Sequence, residues 1–366
     1  MTRPDVVVVG AGPAGIATAI AASLKDLRVT VLDFRKPPID KACGEGLLPE
    51  AVAALNRLGV DVSREARPFC GIRFSDEQSS VCAPTAGRAY GLRRTVLHRA
   101  LTERAMELGV RFVYGARASK FGLNNVIADG RSFSFRWLVG ADGQNSEVRR
   151  WAGLQARQPA QSRYGFRRRY AIRPWSDCVE VHWGDGWQMF ATPTSEEEVC
   201  VALLTDDRRM RVEEALADLP QVARRLSQAS AITNETGAVS TLWRAKAVMR
   251  GNVALVGDAS CAIDGIAGQG LSLAFQEAVA LGEALARGDL REYAAAHSKI
   301  TASAVRMTRL LLLMGSNMLL RKKALRFFEQ NPGMFARMMS VHTRAAGSET
   351  LQARDVIGLG WRILWA

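Results

Sequence analysis

The sequence predicts a mixed α/β (α+β) protein in three parts. They are a Rossmann-like nucleotide domain on a parallel sheet, an antiparallel-sheet domain, and a C-terminal helical region. Three observations predict it. A glycine-rich turn links an apolar strand to a helix and a second strand within residues 5–33. Alternating runs with a hairpin turn occupy residues 160–205. A Leu- and Met-rich helical stretch closes the chain.

The first part rests on "DVVVVGAGPAGIATAIAASLKDLRVTVLD". Four consecutive valines read as a strand buried on both faces. Gly10-Ala11-Gly12-Pro13-Ala14-Gly15 is a G-x-G-x-x-G. In that motif the first glycine makes the tight turn, the second admits a pyrophosphate, and the third lets the helix pack on the strand. Pro13 suits a first helical turn, where its missing N–H costs little. The helix N-terminus offers free amides to phosphate. The second strand ends in Asp33, an acceptor for ribose hydroxyls. Strand, glycines, helix, strand and acid in register give the motif the context it needs.

Two further segments share this strand-to-turn character. "RWLVGADGQNSEVRRWAGL" runs a strand into Asp142-Gly143 and an arginine-bearing helix. "NVALVGDASCAIDGIAGQGLSLAFQEAVALGEAL" runs a strand into Gly257-Asp258, then a glycine-rich loop, then an amphipathic helix. Asp258 can hold a polyol hydroxyl, and the loop aims amides and a positive helix end at an electron-rich group.

The order GxGxxG, then "GADGQNSEVRR", then "GDA…GQG" resembles the FAD-dependent monooxygenase superfamily, over roughly residues 5–310. That superfamily includes aromatic hydroxylases, flavin-dependent halogenases and geranylgeranyl-reductase-like enzymes. The resemblance implies a p-hydroxybenzoate-hydroxylase-like fold. An FAD domain would span residues 1–75, 90–155 and 245–300, a substrate domain 76–89 and 156–244, and a helical region 301–366. It implies that Gly10, Gly12, Pro13, Ala14, Gly15, Asp33, Phe34 and Arg35 grip the ADP half of FAD, and that Arg94, Asp142 and Gly143 contact the cofactor. Gly257 and Asp258 would meet the ribityl chain, and Gly268, Gln269, Gly270 and Leu271 the flavin ring. NAD(P)H is the implied electron donor. The sequence departs from the hydroxylases at Asp264-Gly265-Ile266-Ala267, where they usually carry a proline.

Trp183, Trp187, Phe190 and Pro193 form a flat, aromatic group flanking the turn "GDG" and are the candidate substrate wall. They suit an aromatic, polyketide-like or lipophilic substrate. The stretch "KACGEGLLPEAV" raises a separate question. Cys43-Gly44 falls where reductase-like relatives place Cys-Gly. Cys43 reads either as a catalytic thiol or, preferentially, as a small residue that shapes the flavin edge. The stretch also resembles a halogenase Gly-Glu-Ser-x-x-Pro segment, but no lysine lies between residues 42 and 119 to handle hypohalous acid. These features predict an NAD(P)H-dependent monooxygenase, with a flavin reductase acting on carbon–carbon bonds of a prenyl or polyketide chain as the alternative.

Composition narrows the rest. The six cysteines form no C-x-x-C pair and there are four histidines, so a zinc centre is not expected. No apolar run is long enough for a membrane span, and the start reads as strand and turn rather than signal peptide. A cytoplasmic protein is expected. The net charge of +13 carries no nucleic-acid-binding signature. It offers attraction to an acidic carrier protein or a membrane surface, above all through the basic tail from residue 301.

Overall fold

A computed structural model describes residues 4–155 and 162–343. Residues 156–161 and the predicted tail beyond 343 lie outside them.

The nucleotide domain is a six-stranded sheet. Its strand order is Met249–Arg250, Val253–Leu255, Trp137–Gly140, Val6–Val9, Val29–Asp33 and Arg111–Tyr114. All neighbours run parallel except the first pair. The valine run is fully buried, as a two-sided strand requires. The helix Pro13–Ser23 packs between this sheet and the helix Gly270–Arg287. Contact with the second helix is close because Gly282 has no side chain; a Cβ there would lie 2.7 Å from that of Ala21.

The second sheet has nine strands and is antiparallel apart from one pair. "GDG" makes the predicted hairpin between Cys178–Trp183 and Trp187–Ser195. Two boundaries differ from the sequence reading. Arg67–Ser75 belongs to this sheet, pairing with Ser80–Gly91 on one side and Cys178–Trp183 on the other. Its inward Phe69, Ile72 and Phe74 need a second layer to cover them. The helix Leu290–Ser316 runs unbroken across position 300, because its first turns belong to the nucleotide core. There the Tyr293 hydroxyl donates to the Leu255 carbonyl at 2.6 Å. The helices Met318–Gln330 and Pro332–His342 then close over the second sheet.

A buried charge cluster joins the two sheets. The strand Arg163–Ala171 carries "RYGFRRRYA", and residues two apart on a strand share a face. Arg168 points outward to Glu213, whereas Arg167 and Arg169 point inward and are buried. Both meet Glu45, which is itself buried. Arg169 Nε donates to Glu45 at 2.8 Å, Arg167 donates to Glu45 at 3.3 Å and to Asp40 at 2.9 Å, and the Arg94 amide donates to Glu45 at 2.8 Å. Burial lowers the Arg169 pKa, but the hydrogen bond and charge of Glu45 outweigh it, so the guanidinium is held above its ordinary value. A second link is Arg93 to Glu198, with Glu198 also accepting from Thr194 at 2.8 Å.

Removing one member of such a cluster strands the others as unpaired buried charge. Glu45→Gln is therefore expected to destabilise the protein by about 3–5 kcal/mol, measured by urea unfolding. An exposed pair such as Arg150–Glu147 should contribute less than about 1 kcal/mol in the same assay.

Candidate functional site

The two sheets enclose a cavity of about 690 Å3. One end is walled by the glycine-rich turn, the other by apolar side chains of the second sheet and the closing helices.

At the nucleotide end, each glycine acts by a different contact. Gly10 has φ of +110°, and a Cβ there would lie 2.3 Å from the Ala141 carbonyl oxygen. A Cβ on Gly15 would lie 1.9 Å from the Gly10 oxygen, so Gly15 sits beneath the turn and off the cavity wall. Gly12 has ordinary extended backbone, and a Cβ there would meet no protein atom within 4 Å. That open space above a helix N-terminus suits a phosphate. Asp33 steadies the turn, accepting from the Ala11 amide at 2.7 Å and the Arg35 amide at 2.8 Å. Buried His98 supports it from behind, donating through Nε2 to the Ala11 carbonyl at 2.9 Å. Burial holds that imidazole below its ordinary pKa. At the outer edge Phe34 is exposed, with the Arg117 guanidinium 4.6 Å from its ring centre.

Arg94 lines the cavity, and its buried Nε has no partner among the described residues. Asp258 also lines it and is paired with Lys41 at 2.8 Å. Both groups are more than a third exposed, so the pair is weak and readily exchanged for ligand hydroxyls. The turn carrying Asp258 is fixed by Glu277, a fully buried acid on the apolar face of the long helix. Glu277 accepts from the Gly257 amide at 2.7 Å and the Ser260 hydroxyl at 3.0 Å. Gly268, with φ of +63°, Gly270 and Leu271 face the cavity at the start of that helix.

Two expectations need correction, those for Gln269 and for the aromatic group. Asp142 lines the cavity, and its carboxylate caps the following helix, accepting from the amides of Glu147 and Val148 at 2.7 and 3.1 Å. Burial raises its pKa, and these bonds oppose that rise. The arginine of the same motif, Arg149, lies 4.0 Å from the ring centre of Trp243 and donates to the carbonyls of Gln144 and Ala259. Gln269 turns away from the cavity, and its side-chain amide donates to the His342 carbonyl. Of the aromatic group, only Phe190 lines the cavity. Strand alternation puts Trp187 on the opposite face, packed with Met189 and Ala191, and Pro193 beside Trp175. Trp183 is on the inner face but buried under the helices, 5.7 Å from the Phe74 ring.

The apolar chamber is instead lined by Leu48, Ile72, Phe74, Val181, Phe190 and Ile266 among others. Its floor loop is the segment 264–267, where this chain departs from the hydroxylase pattern, and it is braced by a buried acid. Buried Asp264 accepts from the Ile266 amide at 3.0 Å, Arg163 at 3.2 Å and the Ser240 hydroxyl at 3.0 Å. Cys43 lines the cavity, and its Sγ accepts from the Glu45 amide at 3.4 Å.

His342 was missed by sequence reasoning, since a lone histidine in a helical tail carries no signal. It lines the cavity from the last described helix. Nε2 donates to the Ala267 carbonyl at 2.9 Å, which leaves Nδ1 as an acceptor with no partner among the described residues. Burial pushes its pKa down to about 4. The imidazole is therefore neutral at physiological pH.

The residues present suit FAD: phosphate over Gly12 and the helix start, Arg94 with a free donor nitrogen, polyol at Asp258, and a planar ring beside Gly268–Leu271. Fold and site together define an FAD-dependent oxidoreductase. The chain belongs to the family described as "FAD binding domain", which matches residues 3–304. Among its relatives is the menaquinone reductase of Mycolicibacterium smegmatis, 30% identical over 334 residues, or 81% of this chain and 79% of that one. Another is the digeranylgeranylglycerophospholipid reductase of Methanothrix thermoacetophila, 27% identical over 313 residues and 78% of each chain. A flavoprotein/dehydrogenase from Cytophaga hutchinsonii shares the fold, with a TM-score of 0.83 at 17% identity over 99% of both chains.

Gly12→Ala should leave the stability of the cofactor-free protein unchanged and weaken FAD binding at least tenfold, read by flavin fluorescence. Gly15→Ala should prevent folding, because its Cβ has no room. His342 contributes stability fully above about pH 6.5 and loses it as pH falls toward 4, since only the unfolded histidine protonates freely. The loss is about 3 kcal/mol. His342→Gln, which keeps a donor for Ala267, should flatten that part of the urea-unfolding pH profile.

Proposed function

We propose that the protein is a flavin-dependent reductase that saturates a carbon–carbon double bond in the prenyl chain of a lipophilic substrate, with NAD(P)H as electron donor. The observation that carries this reading is the chamber beyond the flavin site. Its walls are mostly aliphatic and aromatic, with the neutral imidazole of His342 and the hydroxyl side chain of Thr192 among the polar groups that line it. Such a chamber suits a hydrocarbon chain with few polar groups. The likeness to a menaquinone reductase and a digeranylgeranylglycerophospholipid reductase supports the same reading.

FAD would supply the hydride chemistry at the ring site, and the second hydrogen would enter as a proton drawn from solvent. The protein's own residues hold the geometry. Asp264 and Arg163 fix the loop Gly265–Gly268 against the ring site. Glu277 fixes the Asp258 turn. The Glu45 cluster fixes the turn carrying Cys43 and Gly44. The apolar walls exclude water from the reacting carbon. We read Cys43 as a shaping residue; its sulfur accepts from the Glu45 amide at 3.4 Å.

The test is reduction of the FAD-loaded protein by NADPH without oxygen, followed by a prenylated quinone. A product carrying two added hydrogens, with flavin reoxidised, is the expected result. A product that gains an oxygen atom only under air would replace this reading with hydroxylation. Cys43→Ala should retain flavin and keep turnover within a few-fold; loss of turnover with flavin retained would make Cys43 a proton donor.

A further inference from the structure

The helices Leu290–Ser316 and Met318–Gln330 meet at a corner capped by Asn317, whose side chain accepts from the Leu320 amide at 2.9 Å. Three large apolar side chains stand exposed there: Leu313 at 52%, Met318 at 44% and Leu319 at 72%. Basic residues flank them on both helices. Arg306 and Arg309 are exposed on the first, and Lys323 and Arg326 on the second. Residues 301–343 carry seven Arg or Lys and one acid, Glu329; of the seven, Arg321 is buried and Lys322 pairs with Glu77 at 3.7 Å. The other large exposed apolar side chains are scattered over the described surface, which makes this cluster distinct.

We infer that this corner docks onto the surface of an anionic lipid bilayer. An apolar tip inside a basic collar is what interfacial binding requires: the tip enters the acyl boundary and the collar meets headgroup phosphates. No described helix is long and apolar enough to cross a membrane, so the contact is superficial. The cationic collar disfavours a second copy of the same face. The tip has flexible aliphatic and thioether chains and no aromatic anchor, which suits a fluid surface better than a protein pocket. The corner also rides on the cavity wall. A Cβ on Gly315 would lie 3.7 Å from Trp183 and 3.8 Å from Ile266, and Ile266 lines the chamber. Docking there brings the chamber next to the lipid phase.

The test is flotation of the full-length FAD-loaded protein with phosphatidylcholine vesicles, with and without phosphatidylglycerol. Binding should need phosphatidylglycerol and weaken with salt. Leu313→Ser with Leu319→Ser should weaken it at least about tenfold. Arg306→Glu with Arg309→Glu should do the same, at about fivefold per charge. Flavin absorbance and melting temperature should stay unchanged in both double variants. Equal binding to neutral vesicles, or wild-type binding by both double variants, would overturn the inference. So would loss of an oligomer, by light scattering, in place of lost vesicle binding. If a variant fails to fold, the lipid and salt dependence of the wild type decides alone. The readout is flotation and not turnover, so its failure is distinct from failure of the reductase reading.

Discussion

The structure depends on Glu45 holding two arginines in a place where water cannot reach them. Arg167 and Arg169 come from the second sheet, whereas Glu45 and Asp40 come from the segment that leaves the nucleotide sheet. Neither side is tolerable alone, since an unpaired buried charge costs several kcal/mol. Together they anchor the segment that leaves the nucleotide sheet where it enters the second sheet at Gly46–Leu47, and fix the turn that carries Cys43 and Gly44. Glu45 adopts φ of +59°, a backbone state that side chains rarely take. The charge contacts hold it there, and that turn sets one wall of the cavity.

The cofactor end follows the same logic with fewer charges. Its ligand-facing loops are irregular, so each needs a support behind it. Asp33 and His98 brace the glycine turn, Glu277 braces the Asp258 turn, and Asp264 braces the loop before the long helix. Each brace accepts or donates to backbone, which fixes the loop and leaves its outer face open. The exception is Asp258, whose partner Lys41 is partly exposed and replaceable. A site built this way is preorganised where the ring must sit and yielding where a flexible polyol must enter.

The chamber beyond the ring is shaped by strand parity. On Trp187–Ser195, Phe190 faces the cavity while Trp187 and Pro193 face the opposite core. Parity of this kind follows only after the register is known, and a shift of one residue reverses it. Composition suggested a group of aromatic residues; the pleat divided it between two faces. The closing helices then contributed His342, more than 70 residues from the loop it touches.

The sequence by itself determined the nucleotide half. Its signals are local: a valine strand, three glycines with distinct steric duties, a helix start and a terminal acid lie within about 30 residues, so spacing alone specifies geometry. The hairpin at "GDG" and the amphipathic helix after the glycine-rich loop were legible for the same reason. Tertiary structure alone decided the rest. Glu45 meets Arg169 across 124 positions, and Asp264 meets Arg163 across 101. A charged residue on an inward strand face declares that it has a partner but not which one. That choice is made by packing, because only the folded chain brings the matching charge within reach and removes the water that would otherwise compete for it.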